Sequence, residues 1–389
     1  MHRIFDNSAS PRFITIGILG GGQLALMLAR AASQLGLRVR VLDPSSNCPA
    51  KHAVAECRTG DLSDLESLRA FARDVDVITL ENEFIDAELL ADLELRGHAV
   101  FPSSKTMRLV QDKLIQKQTL ELTGIPVVEF MAIASTNELS KAATRLGYPF
   151  VLKRRTLGCD GTGNYTVSSS ADLNIAVQHL GGYEAGLYAE KWCPYVKELA
   201  VMITRNISGE TVLYPVVESR QDNHACSSVI APAAISDELV SYAQEIALRA
   251  VDAVEGVGTF GVEFFLLQNN MLVVNEMAPR VHNSGQYTLE ACDCSQFENH
   301  IRAIRNLPLG SARLRSAAAM VNLLSAVSGS GAPLGVGDAL SIPGAHVHLY
   351  GKLRATPGRK MGHVTALGAN AEEALQTATQ AANCIQFLN

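Results

Sequence analysis

The chain has 389 residues, 47% of them hydrophobic and 19% charged, with a formal net charge of -6. A chain of this length exceeds one ordinary core, so about two or three domains are expected. Its acidic balance excludes general nucleic-acid binding and leaves phosphate chemistry to local sites. The N-terminal MHRIFDNSASPRF has no apolar h-region and glycines interrupt the apolar run at 14–29, so neither a signal peptide nor a membrane span is predicted. The expected compartment is cytoplasmic. Eight cysteines are scattered along the chain; only Cys292 and Cys294 lie close together, which suits reduced thiols rather than a zinc site.

Residues 13–43 read as a strand, a glycine turn, an apolar-periodic helix and a second strand ending in Asp43. Gly20, Gly22 and Ala25 fit G-x-G-x-x-G/A, with an acidic residue about 20 positions on. Alone, this points to a nicotinamide-dependent oxidoreductase, although such a turn suits any phosphate or simply close helix-strand packing. The alternation continues through a helix at 62–73 and the strand DVITLE, which puts Glu81 and Glu83 at the carboxyl end of a parallel sheet, where ligands bind; a solvated strand end is the alternative.

From Lys105 the pattern predicts one long helix, MRLVQDKLIQKQTLELTG, closed by Gly124, then a second near 136–146. In GYPFVLKRRTLGCDGTGNYTV a strand carries Lys153 near its end and runs into a loop with glycines at 158, 161 and 163 before another strand. This is no Walker loop, which ends in a helix after G-K-[ST]. Either its backbone amides close over a polyphosphate with Lys153 as a point charge, or it is an ordinary hairpin. A short connector at 190–194 then separates two strands, the second beginning at Glu198. Such a connector can hydrogen-bond adenine through its backbone, while Trp192, the only tryptophan, can equally be packing.

A helix at 236–254 leads into GTFGVEFFLLQNNMLVVNEMAPRVHNSG, which reads as a β-hairpin turning at Asn269-Asn270. A two-residue turn there pairs Gln268 with Met271 and sets Glu263 opposite Glu276. Facing carboxylates repel unless a cation lies between them, and magnesium takes one or two carboxylates plus nucleotide phosphates; a glutamate at the sheet edge pairing with a distant lysine is the alternative. Then follow the helix SQFENHIRAIRNL, a linker at 307–316, and the strand patterns AHVHLYGKL and GRKMGHVTAL joined by a Pro-Gly turn, before a final alanine-rich helix. The basic cluster Lys352, Arg354, Arg359 and Lys360 suits a phosphate monoester or a solvated hairpin face.

Over 14–367, GGGQL, QDKLIQK, GYPFVLKRR, DGTGN, EKW, NEMAPRVHNSGQYT, SQFENHIRAI and PGRKMGH occur in an order that resembles the ATP-grasp superfamily and, within it, the 5-(carboxyamino)imidazole ribonucleotide synthetases. The resemblance implies an α/β ATP-grasp fold of three domains: an N-terminal parallel βαβ domain (1–110), a linker helix and small α+β lid domain with the glycine flap (111–189), and a larger α+β core with a C-terminal β-hairpin extension (190–389). It implies a carbon-nitrogen ligase of de novo purine biosynthesis that carboxylates the amine of aminoimidazole ribonucleotide with bicarbonate and ATP through carboxyphosphate. Magnesium, a homodimer, small-molecule partners only, and neither nucleic acid nor membrane are implied with it. A paralogue acting on another amine or carboxylate is the alternative.

The roles so implied put Lys113 and Lys153 on the ATP phosphates beneath the flap of Gly158, Cys159, Asp160, Gly161, Thr162, Gly163 and Asn164. Adenine falls to Glu190, Lys191, Trp192 and Cys193, ribose to Glu198, with Gln221 and Asn275 also at the nucleotide. Glu263, Glu276 and Asn283 are the implied magnesium ligands, and Asp160, Arg280, His282 and Lys360 the catalytic residues, with Asp160 and His282 as candidate bases. Gln23, Glu81, Lys352, Arg359 and Lys360 face the ribonucleotide. Departures cluster on the acceptor side: Ala25 and Leu26 replace a glycine and an arginine, Cys159 a tyrosine, and Thr162 a basic residue.

Overall fold

The computed structural model describes residues 13–158, 163–222 and 225–388. Its first sheet is parallel: Thr15–Leu19 (β1), Arg38–Asp43 (β2), Glu56–Thr59 (β3), Val77–Leu80 (β4) and Ala99–Phe101 (β5), in the order β3-β2-β1-β4-β5. β1 and β4 are short apolar runs because such a sheet is covered on both faces. Gly20 follows β1 at φ +95°, a conformation that side chains resist, and the chain then enters Gln23–Gln34 (α1). Ala25 and Leu26 on α1 are buried in a cluster with Phe297, Ile301 and Tyr350, so these two substitutions face the core rather than a ligand.

The single long helix expected after Lys105 is two, Ser104–Val110 (α2) and Lys113–Leu122 (α3). Asp112 breaks it. Its carboxylate accepts from the N–H groups of Leu114 (2.9 Å) and Ile115 (3.2 Å), an N-cap that competes with helix continuation, and it pairs with Arg155 at 2.6 Å. Lys113 thereby becomes the first residue of a new helix, and its N–H donates to the Arg155 carbonyl at 2.8 Å.

A smaller antiparallel sheet follows, from Phe130–Ile133 (β6), Phe150–Arg154 (β7), Asn164–Val167 (β8) and Leu187–Lys191 (β9), in the order β6-β9-β7-β8. β7 and β8 pair antiparallel, with Lys153 opposite Asn164. Glu190 belongs to β9, and the next strand begins at Tyr195 rather than Glu198.

The large sheet is built from Tyr195–Arg205 (β10), Val217–Asp222 (β11), Ala225–Ala231 (β12), Gly258–Leu267 (β13), Leu272–Ala278 (β14), Ala317–Leu324 (β15), Ala345–Leu349 (β16) and Lys360–Gly368 (β17). Their order is β14-β13-β10-β11-β12-β15-β17-β16, and the short strand Thr211–Leu213 pairs with β10. The predicted C-terminal hairpin thus extends the sheet. Helix Asp237–Ala253 (α4) packs Ile246 and Ala250 against Leu199, Val201, Phe260 and Phe264 on one face. Helix Gln296–Ile304 (α5) joins the N-terminal and large sheets: His300, neutral because burial lowers its pKa to about 4, accepts from the Thr259 N–H (3.0 Å) and lies 2.8 Å from Thr79 Oγ1. Among the described residues all seven cysteines are free thiols, and no helix is long and apolar enough to cross a membrane.

The β13-β14 hairpin departs instructively from expectation. The tip is a three-residue loop, 268–270, closed by Leu267 N–H to the Met271 carbonyl (2.9 Å), with Asn270 left-handed at φ 61°. Near the tip the strands are therefore one residue out of the expected register, with Leu266 opposite Leu272. Asn275 then bulges from β14, shifting the register back, and Glu263 lies opposite Glu276 as the sequence predicts.

Candidate active site

The three sheets enclose one cavity of about 1230 Å³, lined from all of them. At its centre are the paired carboxylates. Burial and the facing Glu276 raise the pKa of Glu263 to about 8; burial also opposes the charge on Glu276, but Lys113, which pairs with it, outweighs this and holds it at about 2. His282 Nε2 lies 3.6 Å from Glu263 Oε1, and burial pushes the imidazole down to about 4. The Ser284 N–H donates to His282 Nδ1 at 3.3 Å, so the neutral ring carries its proton on Nε2, toward Glu263. Asn283 lines the same cavity with both amide atoms buried and without a hydrogen-bond partner.

Among the described residues no group of three or more His, Cys, Asp or Glu side chains is arranged to hold a metal ion. Two opposed carboxylates, one driven to keep its proton, beside an unsatisfied amide oxygen nevertheless fit a hard divalent cation that completes its shell with phosphate oxygens.

On the lid side, Lys153 Nζ is 2.5 Å from Glu190 Oε2. Burial resists the charge on Glu190, but Lys117 and Lys153 together hold its pKa at about 2. Lys191, Trp192 and Cys193 line the cavity beyond it, next to Tyr195, which stacks on Phe265 with ring centroids 4.4 Å apart. Glu198, Gln221, Asn275, Gly158 and Asn164 also line it. The Gly163 carbonyl accepts the Arg154 N–H at 2.8 Å. Cys159, Asp160, Gly161 and Thr162 lie outside the described residues.

At the opposite end stands the glycine turn. Asp43 accepts the Gly21 N–H at 2.7 Å and Glu81 the Leu24 N–H at 3.4 Å; a Cβ on Gly22 would lie 2.1 Å from Glu81 Oε1. Protein carboxylates thus hold the helix start that the fingerprint assigned to a dinucleotide pyrophosphate, which two negative groups would repel, so the oxidoreductase expectation is not met. Gln23 and Glu81 face the cavity; Ala25 and Leu26 are absent from its lining. Arg280 makes a two-point pair with Glu83, Nε to Oε2 at 2.5 Å and Nη2 to Oε1 at 3.1 Å. Lys352, Arg354, Arg359 and Lys360 close this end, with Lys352 Nζ 2.7 Å from the Lys360 carbonyl and Arg359 Nη1 2.9 Å from that of Arg354.

Three family models match the chain in order: the ribonucleotide synthetase preATP-grasp domain over 13–111, the ATP-grasp domain over 118–297, and the phosphoribosylaminoimidazole carboxylase C-terminal domain over 318–377. The N5-carboxyaminoimidazole ribonucleotide synthase of Synechococcus elongatus is 41% identical over 367 residues, covering 93% of this chain and 92% of that protein. The chain belongs to the N5-carboxyaminoimidazole ribonucleotide synthase family. Of solved members of the synthase family, that from Thermotoga maritima superposes with a TM-score of 0.87 at 41% identity, covering 96% of this chain and 99% of that one. An Aspergillus clavatus member, described in complex with ADP and 5-aminoimidazole ribonucleotide, gives 0.87 at 38% identity over 95% of this chain and 98% of that one. The chain spans between 64% and 66% of the length of the fungal and plant phosphoribosylaminoimidazole carboxylases it also matches.

Within this synthase-family site, the sequence left Lys117 and Cys226 without a role: Lys117 is buried against Glu190, and Cys226 lines the cavity near Glu263 and Lys360. Glu83, expected at a ligand or a solvated strand end, instead orients Arg280. One signal was available: Gln116 and Lys117 interrupt the apolar face of an amphipathic helix between Leu114 and Leu120, where polar side chains need buried partners. The Glu83–Arg280 pair spans 197 positions and had no local signature.

Proposed function

We propose that this chain carboxylates the amine of 5-aminoimidazole ribonucleotide with ATP and bicarbonate, giving N5-carboxyaminoimidazole ribonucleotide, ADP and phosphate in de novo purine biosynthesis. The support is one cavity that sets the Glu263–Glu276 pair between the lysines of the lid end and the basic cluster of the opposite end. It is strengthened by the Aspergillus clavatus relative, whose complex contains both ADP and the acceptor.

Bicarbonate is a weak electrophile, and phosphorylation by ATP turns it into carboxyphosphate, a reactive mixed anhydride. In this reading Lys113 and Lys153 offset the charge on the transferring phosphoryl group, adenine lies on the backbone of 190–193, and Glu198 and Gln221 hold the ribose side. Glu263, Glu276 and Asn283 would hold a magnesium ion, which when bound neutralises charge gathering on the phosphate oxygens. The flap at 158–164 keeps water from the anhydride. Arg280 and the Nε2–H of His282 donate to the carboxylate oxygens, and Asp160 accepts the amine proton. Lys352, Arg359 and Lys360 bind the 5′-phosphate, with Gln23 and Glu81 on the ribose and heterocycle.

We divide the chain at 110 and 189 and expect a cytoplasmic homodimer, to be checked by light scattering of the eluted protein. The function is tested by ADP release from ATP and bicarbonate with and without 5-aminoimidazole ribonucleotide. Stimulation by the acceptor is expected; its absence would overturn the assignment.

A further inference from the structure

Helix α3 buries a cation to which the proposed chemistry gives no task. Lys117 lies one turn beyond Lys113; its Nζ forms an ion pair with Glu190 Oε1 at 2.8 Å and donates to the Asn275 carbonyl at 3.0 Å. The other Glu190 oxygen pairs with Lys153 at 2.5 Å. One carboxylate therefore has two cationic partners of unlike access: the Lys117 side chain is 3% exposed, while that of Lys153 is 14% exposed and opens on the cavity. Asn275, the second partner of Lys117, is the bulged residue that returns Glu276 to its place opposite Glu263. Gln116 holds the strand just beyond, its amide donating to the Met277 carbonyl (2.9 Å) and accepting the Met277 N–H (2.7 Å).

We infer that Lys117 is a positioning residue for the nucleotide: it is the permanent counter-ion of Glu190, freeing Lys153 to leave that carboxylate for a nucleotide phosphate, with Lys153 on the phosphates as in the function proposed above. A buried carboxylate stripped of its only cation is strongly unfavourable. With Lys117 in place, moving Lys153 onto a phosphate leaves the charge of Glu190 compensated. Lys117 is sealed away from the cavity and cannot itself follow the phosphate. Without it, the nucleotide must compete with Glu190 for Lys153. The same ammonium fixes the Asn275 carbonyl, so the phosphate lysine and the bulge that sets the carboxylate pair share one anchor. The acceptor end, built on Arg280 and the basic cluster, does not contact Lys117.

The test uses the full chain, with Mg-ADP affinity by calorimetry and steady-state KM for ATP and for 5-aminoimidazole ribonucleotide. Lys117→Met is expected to weaken Mg-ADP and to raise the ATP KM by about tenfold or more, with the acceptor KM within about twofold of the parent. The double variant Lys117→Met/Glu190→Gln removes the carboxylate along with its counter-ion and is expected to bind Mg-ADP more tightly than Lys117→Met. A lysine that only stabilises the fold would lower the melting temperature with nucleotide affinity and KM unmoved, and that result overturns the inference, as does equal affinity of the single and double variants. If Lys117→Met does not fold, the charge-balanced double variant decides: it must fold and bind Mg-ADP, and its failure to do so overturns the inference. Mg-ADP binding needs no acceptor, so a parent chain that binds Mg-ADP without acceptor-stimulated turnover overturns the proposed acceptor alone.

Discussion

In the proposed function, Glu263 is where proton and cation compete. Its pKa of about 8, raised from 4.5 by burial and the facing Glu276, means that the folded chain keeps a proton at neutral pH that a bound cation must displace. Mg-ADP binding is therefore expected to release about one proton at pH 7 and to tighten as pH rises toward 8, levelling above it; calorimetry in buffers of different ionisation enthalpy measures this, and uptake-neutral binding would contradict the metal role. For stability the sign is opposite to that of a paired carboxylate: the unfolded chain releases the proton first, so this group's contribution becomes unfavourable as pH climbs from about 4.5 to 8. His282 makes a separate residue-scale prediction. With Nδ1 accepting the Ser284 N–H, the ring is a donor through Nε2. Gln at 282 keeps an N–H near that position but cannot act as a base, so His282→Gln should retain turnover within about tenfold while His282→Ala loses about a hundredfold. Equal, large losses in kcat for both would restore histidine as the base.

At the scale of elements, the break between α2 and α3 aims Lys113. Removing the Asp112 side chain takes away the cap and the Arg155 pair together, and Asp112→Ala should cost about 1–2 kcal/mol in urea unfolding while raising the ATP KM. Unchanged kinetics at reduced stability would separate the cap from the aiming of Lys113. This break was hidden in the sequence because helical periodicity runs through it, and only the side-chain hydrogen bonds of Asp112 reveal it. The βαβ alternation, the lid hairpin and the basic C-terminal cluster were legible, since period, glycine and charge are local signals. The facing glutamates were legible through two compensating departures, a longer tip and a bulge, neither of which periodicity detects. The glycine turn was read correctly as a strand-to-helix turn, but its occupant depends on Glu81, 57 positions from its Leu24 partner.

Across the whole molecule, the cavity exists because distant segments are tied. Glu83, anchored through its carbonyl by the Gln111 amide (3.0 Å), reaches from the parallel sheet to Arg280 after the last strand of the hairpin, while His300 ties the same two sheets at a second place. Both members of the Glu83–Arg280 pair are largely buried, so Glu83→Gln leaves a guanidinium short of its partner and should cost about 3 kcal/mol. With Arg280 at the acceptor end as proposed, the acceptor KM should rise while Mg-ADP affinity stays near that of the parent. Equal loss of both would show that the pair holds the whole cavity rather than one end.

The bulge at Asn275 carries a consequence for how this hairpin can vary. The three-residue tip displaces the strands by one position and the extra residue at 275 displaces them back, so the two act as a pair of opposed insertions in one alignment of strands. At a fixed number of residues between the glutamates, shortening the tip without removing the bulge would swing one glutamate to the far face of the sheet. At an unchanged spacing between the two glutamates, tip and bulge therefore go together: a relative with a two-residue tip keeps its glutamates opposed only without the extra residue, and turn length becomes a readable marker of the geometry about five residues away.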